Sequence, residues 1–202
     1  GSTGFGQQLA QSILNEWGVK PLDDILRSTD VLLARFPNID PKRIAAAGAS
    51  YGGYMAAWAE GHTDRFACIV DHAGVNDLIT QYGADVTTYS FTKVLGGTPW
   101  ENPEGLQKNN PMTYAKNFRT PMLITHGELD YRVPDGNGMS LYAVLQAMGV
   151  PSRLVIYPNE NHWILSPQNS IHWNWEVQSW LARYIGGKPT LEKPVFDSAG
   201  GK

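Results

Sequence analysis

Apolar positions along the chain alternate between two rhythms. Short, almost unbroken apolar runs occur at 43–47, 67–71, 122–126 and 152–157, as expected of strands covered on both faces. Between them lie stretches with helical spacing: 22–35, where Leu22, Ile25, Leu26, Val31 and Leu32 recur on one face, then 51–60, 138–148 and 170–184. Asp135 or Asn137 is a candidate N-cap for the third of these helices, and Gly149 a candidate stop. Strand and helix in alternation predict an α/β domain with a mostly parallel sheet flanked by helices.

Two segments depart from the rhythm. Residues 74–120 are rich in Gly, Pro and Asn, and a connection of that length predicts short helices beside a binding cleft. Residues 186–202 have turn composition and read as an extended C-terminal tail on a catalytic domain of residues 1–185.

Composition narrows the class. With 42% hydrophobic and 17% charged residues, the chain has the balance of a globular domain with a sizeable core. The net charge of −3 with no basic run offers no footprint for nucleic acid or an anionic membrane. No apolar stretch is long enough to span a bilayer. The one cysteine, Cys68, sits in an apolar run and reads as a small buried hydrophobe. It does not separate a cytoplasmic from a periplasmic or secreted location. The opening Gly1-Ser2-Thr3-Gly4-Phe5-Gly6 has neither an initiating Met nor a signal-peptide pattern, which suggests a chain that starts partway into a longer protein.

The strongest chemical signal is Gly48-Ala49-Ser50-Tyr51-Gly52, a G-x-S-x-G pentapeptide between a predicted strand and a predicted helix. That context is the nucleophile elbow of α/β hydrolases, in which a strained turn exposes the serine hydroxyl. Small residues at Gly48 and Gly52 let the backbone pass closely. The N–H of Tyr51 then faces a developing oxyanion. The expected fold is therefore the α/β-hydrolase fold. Four strands are few for it, so N-terminal strands are expected to be missing from this chain.

A serine needs a base, and the base an orienting acid, in the chain order Ser, acid, His. Asp130 lies in the loop after the third predicted strand and Glu128 is its rival, nearer the strand and able to pair locally. His162 follows the last predicted strand and comes after the acid, unlike His62, His72 and His126, while His172 falls inside the last helix. The histidines lack the H-E-x-x-H or paired-cysteine spacing of a zinc site, and no phosphate-binding loop is present. The expected metal set is therefore none, and so is the cofactor set.

The segment Ala47-Gly48-Ala49-Ser50-Tyr51-Gly52-Gly53-Tyr54-Met55 resembles the elbow of the prolyl oligopeptidase family of serine peptidases, in its acylaminoacyl-peptidase and dipeptidyl-peptidase-5-like branch. Residues 1–6, 97–100, 126–134 and 161–163 resemble further family segments in the same order. The resemblance implies a Ser50–Asp130–His162 triad, a backbone oxyanion donor at Tyr51, and a substrate pocket bordered by Tyr131, Arg132, Val133 and Val75. It implies hydrolysis of short peptides through an acyl-enzyme, without a cofactor. It also implies an upstream β-propeller and the missing hydrolase strands, with a second oxyanion donor, from the same parent protein. A homo-oligomer is compatible with it. Two other readings stand beside it: an esterase or lipase of the same fold, and a non-catalytic fragment or scaffold that keeps the elbow as a relic.

Overall fold

The computed structural model describes residues 1–86 and 88–195, with the backbone alone for 88–91. The tail expected at 186–202 runs out of helix at Ile185, and its last seven residues lie outside the described part.

Four parallel strands form one sheet in sequence order: β1 (Ala45–Ala49), β2 (Cys68–His72), β3 (Met122–Gly127) and β4 (Ser152–Tyr157). Five α-helices matter for the site: α2 (Val19–Arg35), α3 (Tyr51–His62), α4 (Leu78–Ala84), α7 (Gly136–Ala147) and α8 (Pro167–Ile185). The other helices among the described residues are α1 (Gln7–Gln11), α5 (Thr88–Leu95) and α6 (Pro103–Asn109), and a 3₁₀ turn spans Pro111–Asn117. The long 74–120 connection is thus built of short helices.

Every residue of β2 and β3 is buried, whereas β1 and β4, at the two edges of the sheet, are partly open. The apolar runs predicted strands covered on both faces, and that holds only for the central pair. Side chains alternate between the faces. Ile69, Met122 and Ile124 enter the larger core with α3 and α7, while Cys68, Val70 and Leu123 pack under Trp180 of α8. Helix α3 is buried almost all round, from Gly53 to Gly61, because the sheet lies on one side and the 3₁₀ segment on the other. Helix α2 forms where its periodicity predicted, but Val31 and Leu32 remain exposed and only Leu22 is buried.

Two boundaries differ from expectation in an instructive way. The first strand runs two residues further than the apolar run, because Gly48 and Ala49 pair with Asp71 and His72. Ser50 is therefore the first residue beyond the ladder. Helix α7 begins after Asp135, whose side chain makes no capping hydrogen bond. Asn137 lies inside the helix and its Oδ1 instead accepts the N–H groups of Asn76 and Asp77. Gly149, at φ 71°, follows the last helical turn as a left-handed stop. Among the described residues no helix is long and apolar enough to cross a membrane.

Candidate active site

The strands are parallel, so their C-terminal ends share one edge of the sheet, and the loops leaving them converge there. Ser50 follows β1, His72 closes β2, Asp130 follows β3 and His162 follows β4.

Ser50 adopts φ 59° and ψ −117°, a conformation that costs a non-glycine residue roughly 1–3 kcal/mol. Its backbone is tied on three sides. The Ser50 N–H donates to the His72 carbonyl at 2.9 Å, and its own carbonyl accepts from Tyr54 at 3.0 Å and Val75 at 3.4 Å. The hydroxyl does not cap α3. A Cβ on Gly48 would stand 2.1 Å from the Gly52 carbonyl oxygen, which is why the elbow requires glycine at 48. A Cβ on Gly52 would meet nothing within 4 Å; the close approach is made by the Gly52 backbone. Tyr51 is the first residue of α3, so its N–H has no carbonyl one turn earlier in the helix to bond.

Asp130 is 3% exposed. Its Oδ1 accepts the N–H groups of Arg132 at 2.9 Å and Val133 at 2.8 Å, and its Oδ2 lies 2.7 Å from His162 Nδ1. A second imidazole stands behind it, with His126 Nε2 at 3.5 Å from the same Oδ2 while bonding the Val133 carbonyl at 2.7 Å. Burial pushes the Asp130 carboxyl up, but hydrogen bonds from His126, His162 and the Val133 N–H outweigh it and hold the group well below the usual carboxylate range. Glu128, the rival acid, is exposed; the carboxylate that meets His162 is that of Asp130.

The pocket residues separate by burial. Tyr131 is 67% exposed. The Arg132 guanidinium bonds Asp85 at 3.1 Å and 3.3 Å, and its carbonyl accepts from Gln81 at 3.1 Å. Val133 and Val75 are both core residues. Of the other histidines, His62 bonds the Trp58 carbonyl at the end of α3. His172 pairs with Tyr157 and Glu176. His126 is fully enclosed and lines no open cleft.

Sequence reasoning assigned nothing to Glu160, two residues before His162. Its carboxylate is buried and gathers the loop around it: the N–H groups of Leu165 at 2.9 Å and Ser166 at 3.1 Å, the Ser166 hydroxyl, and Asn169 at 2.9 Å. Its carbonyl accepts from Leu129 at 2.8 Å, so one residue braces both the acid loop and the histidine loop. An acid so close to the base, followed by Ser166 and Asn169, is a signal that spacing alone leaves weak. Asp71, also unassigned, is fully buried with its carboxylate packed against Gly53 and Gly74 beneath the elbow. Burial raises it to about 6 against the lowering effect of Asn76, His126 and the Gly74 N–H. Among the described residues no group of three or more His, Cys, Asp or Glu side chains is placed to hold a metal ion.

Comparison with known proteins places this arrangement in context. Residues 1–188 match the sequence model of the prolyl oligopeptidase family. Dipeptidyl-peptidase 5 of Schizosaccharomyces pombe is 40% identical over 199 residues, covering 97% of this chain and 29% of that protein. The acylaminoacyl peptidase of Pyrococcus horikoshii superposes with a TM-score of 0.87 at 29% identity, over 96% of this chain and 32% of that one. An acylaminoacyl peptidase in complex with Z-Gly-Gly-Phe-chloromethyl ketone superposes at 0.83 and 29% identity, with the same coverages of 96% and 32%. The chain thus spans under a third of the length of these relatives.

Proposed function

The chain belongs to the prolyl oligopeptidase family, and from that premise we propose that it forms the catalytic part of a serine peptidase acting on short peptides. Ser50 is the nucleophile, His162 the general base and acid, and Asp130 the residue that orients the imidazole. The observation that carries this reading is the 2.7 Å bond between His162 Nδ1 and Asp130 Oδ2, at the same sheet edge as a serine held at φ 59° with its hydroxyl uncommitted to the helix.

The chemistry follows from those positions. With Asp130 ionised, the proton of the neutral imidazole stays on Nδ1, leaving Nε2 as the base. Nε2 takes the Ser50 proton as Oγ attacks the peptide carbonyl carbon. Charge gathers on the carbonyl oxygen, where the Tyr51 N–H and the positive end of the α3 dipole stabilise it. The imidazolium then protonates the leaving amine, and water enters by the same steps in reverse to release the acid.

Tyr131 and Arg132 border the substrate beside the acid, while Val75 and Val133 back that wall from the core. A sizeable apolar residue at the cleaved position is supported by the Phe of the Z-Gly-Gly-Phe-chloromethyl ketone bound to the similar acylaminoacyl peptidase. In the whole protein, an upstream β-propeller and further sheet strands would limit access to short peptides and add a second oxyanion donor, worth roughly 10²–10³ in turnover.

Covalent labelling tests the assignment. A fluorophosphonate is expected to leave one adduct, mapping to Ser50, absent in Ser50→Ala and slowed in His162→Ala. Turnover of a peptide anilide in preference to a p-nitrophenyl ester then separates peptidase from esterase. An adduct on another residue, or none in the folded full-length protein, overturns the reading.

A further inference from the structure

The loop that carries the proposed acid is fastened by a histidine outside the triad. His126 is the penultimate residue of β3, paired with Ile156 of β4, and its ring is fully buried. Gly127 follows it and has no room for a side chain, because a Cβ there would run into the carbonyl oxygens of Glu160 and Asn161. His126 is therefore the last residue of the strand able to send a side chain toward the acid loop.

Burying an imidazole costs free energy that only its hydrogen bonds offset. Among the described residues Nδ1 has no hydrogen-bond partner. It faces Gly138 of α7, where a Cβ would stand 2.9 Å away. What the ring gains comes through Nε2, which lies 2.7 Å from the Val133 carbonyl oxygen and 3.5 Å from Asp130 Oδ2. A carbonyl oxygen cannot donate, so the proton of the 2.7 Å bond belongs to Nε2. The longer approach is too distant for a second full hydrogen bond, yet it sets the positive end of the N–H dipole beside the carboxylate oxygen that meets His162. Burial pushes the ring toward its neutral form, and Asp130, the Val133 carbonyl and Asp71 outweigh it and hold the group above the ordinary imidazole value. Nε2 carries a proton in either charge state.

The Val133 carbonyl belongs to the peptide unit that ends in Pro134. Proline has no N–H, so this carbonyl is the only backbone hydrogen-bonding group of that unit, and His126 holds it. One residue earlier, the peptide between Arg132 and Val133 is fixed from both sides. Its carbonyl accepts from Gln81 at 3.1 Å, and its N–H donates to Asp130 Oδ1 at 2.8 Å, beside the Arg132 N–H at 2.9 Å. At the start of the loop the Asp130 N–H bonds the Gly127 carbonyl at 3.3 Å. The acid loop thus closes at both ends onto the last two residues of β3, on Gly127 by main chain and on His126 by side chain.

We infer that His126 is a positioning residue for the triad: its Nε2–H pins the Val133–Pro134 peptide to β3, which aims the Arg132 and Val133 N–H groups at Asp130 Oδ1 and leaves Oδ2 turned to His162. This rests on the assignment of Asp130 and His162 made above. An acid orients its histidine only as well as its own carboxylate is held. An apolar residue of similar bulk at 126 fills the core but leaves the Val133 carbonyl buried without a donor.

The test uses proton and ¹⁵N-histidine spectra of the full-length protein. At neutral pH His126 is expected to show a protonated Nε2 whose hydrogen exchanges slowly with solvent. An unprotonated Nε2 overturns the inference whether or not the protein proves to be a peptidase. The proton between His162 Nδ1 and Asp130 Oδ2 supplies a second signature, a low-field resonance that reports their alignment. His126→Leu keeps the bulk and removes the donor. In that variant the resonance is expected to move upfield or broaden away, and fluorophosphonate labelling of Ser50 to slow roughly 10–100-fold. His126→Gln, whose amide can donate from the Nε2 position, is expected to keep the resonance and to label within about 3-fold of the parent. Equal behaviour of the two variants, or an unchanged resonance in His126→Leu, is fatal to the inference. Should His126→Leu fail to fold, His126→Asn, too short to reach Val133, takes its place with the same expectations. Absence of labelling in the parent would instead sink the peptidase assignment, and the two spectroscopic readouts would still judge His126.

Discussion

Glu60 lies near the end of α3 remote from Ser50, and its carboxylate makes the stability of that helix depend on pH. It is 1% exposed, and its Oε1 accepts the Thr120 N–H at 2.6 Å together with that of Arg119. These two donors belong to the approach to β3, so Glu60 joins the helix that follows Ser50 to the strand that leads to Asp130. Burial pushes its carboxyl from the ordinary 4.5 up to about 7, further than the Thr120 and Arg119 hydrogen bonds pull it back. The folded state then binds the proton more tightly than the unfolded chain. Its contribution to stability is complete below about pH 4.5 and is lost as pH rises through about 7. Integrating between those two values, ionisation inside the fold costs roughly 3 kcal/mol at about pH 8 and under about 1 kcal/mol at about pH 5.

Glu60→Gln removes the charge and keeps an oxygen for the two N–H groups, at a cost of about 1–3 kcal/mol if the new amide protons find no acceptor. That cost is the same at both pH values, so the difference between them isolates the ionisation. Urea unfolding of parent and variant at about pH 5 and about pH 8 should show the variant gaining about 2–3 kcal/mol relative to the parent at the higher pH. A relative stability independent of pH refutes the reasoning, and a change of opposite sign would mean that the folded protein favours the ionised carboxylate.

Gly48→Ala drives a methyl group into the Gly52 carbonyl, backbone against backbone, and should lower stability by at least about 2 kcal/mol in thermal melts. Asp130→Asn leaves His162 Nδ1 without its carboxylate and should reduce steady-state turnover about 10⁴-fold; because the buried, hydrogen-bonded carboxylate is held ionised in the fold, the melting temperature at neutral pH should fall as well. Glu160→Ala frees the loop N–H groups of Leu165 and Ser166; about 1–3 kcal/mol of stability should be lost in urea unfolding, with slower labelling of Ser50. Cys68 is wholly buried and burial raises its thiol to about 11. Mass spectrometry should therefore find it unmodified by iodoacetamide until the protein unfolds.

Much of this molecule is legible in one dimension because its strongest signals are local. Four apolar runs became four strands, although only the central pair is covered on both faces. The pentapeptide around Ser50 announced its turn, because only small residues let the chain double back so tightly. Gly149 ended its helix as a glycine able to take positive φ does. Chain order, together with position in the loops after the last two strands, pointed to Asp130 and His162 as candidate partners, and the two stand 2.7 Å apart.

What the sequence left open was whatever depends on residues distant in the chain. No pattern near position 72 tells that its carbonyl will meet Ser50 and its ring Thr125, because parallel pairing joins strands separated by whole helices. Burial likewise had to come from packing: Val31 and Leu32 keep the helical period yet lie exposed, and Val75 and Val133 belong to the core. Glu160 and Asn137 looked like ordinary polar loop or cap residues until the fold surrounded them with unsatisfied backbone donors. Sequence by itself determined the elements and pointed to the candidate site groups, since propensity, turn sterics and the position of a residue after its strand are local signals. Tertiary structure decided which groups meet and which are buried, since those depend on long-range pairing and on a core that forms only when distant segments come together.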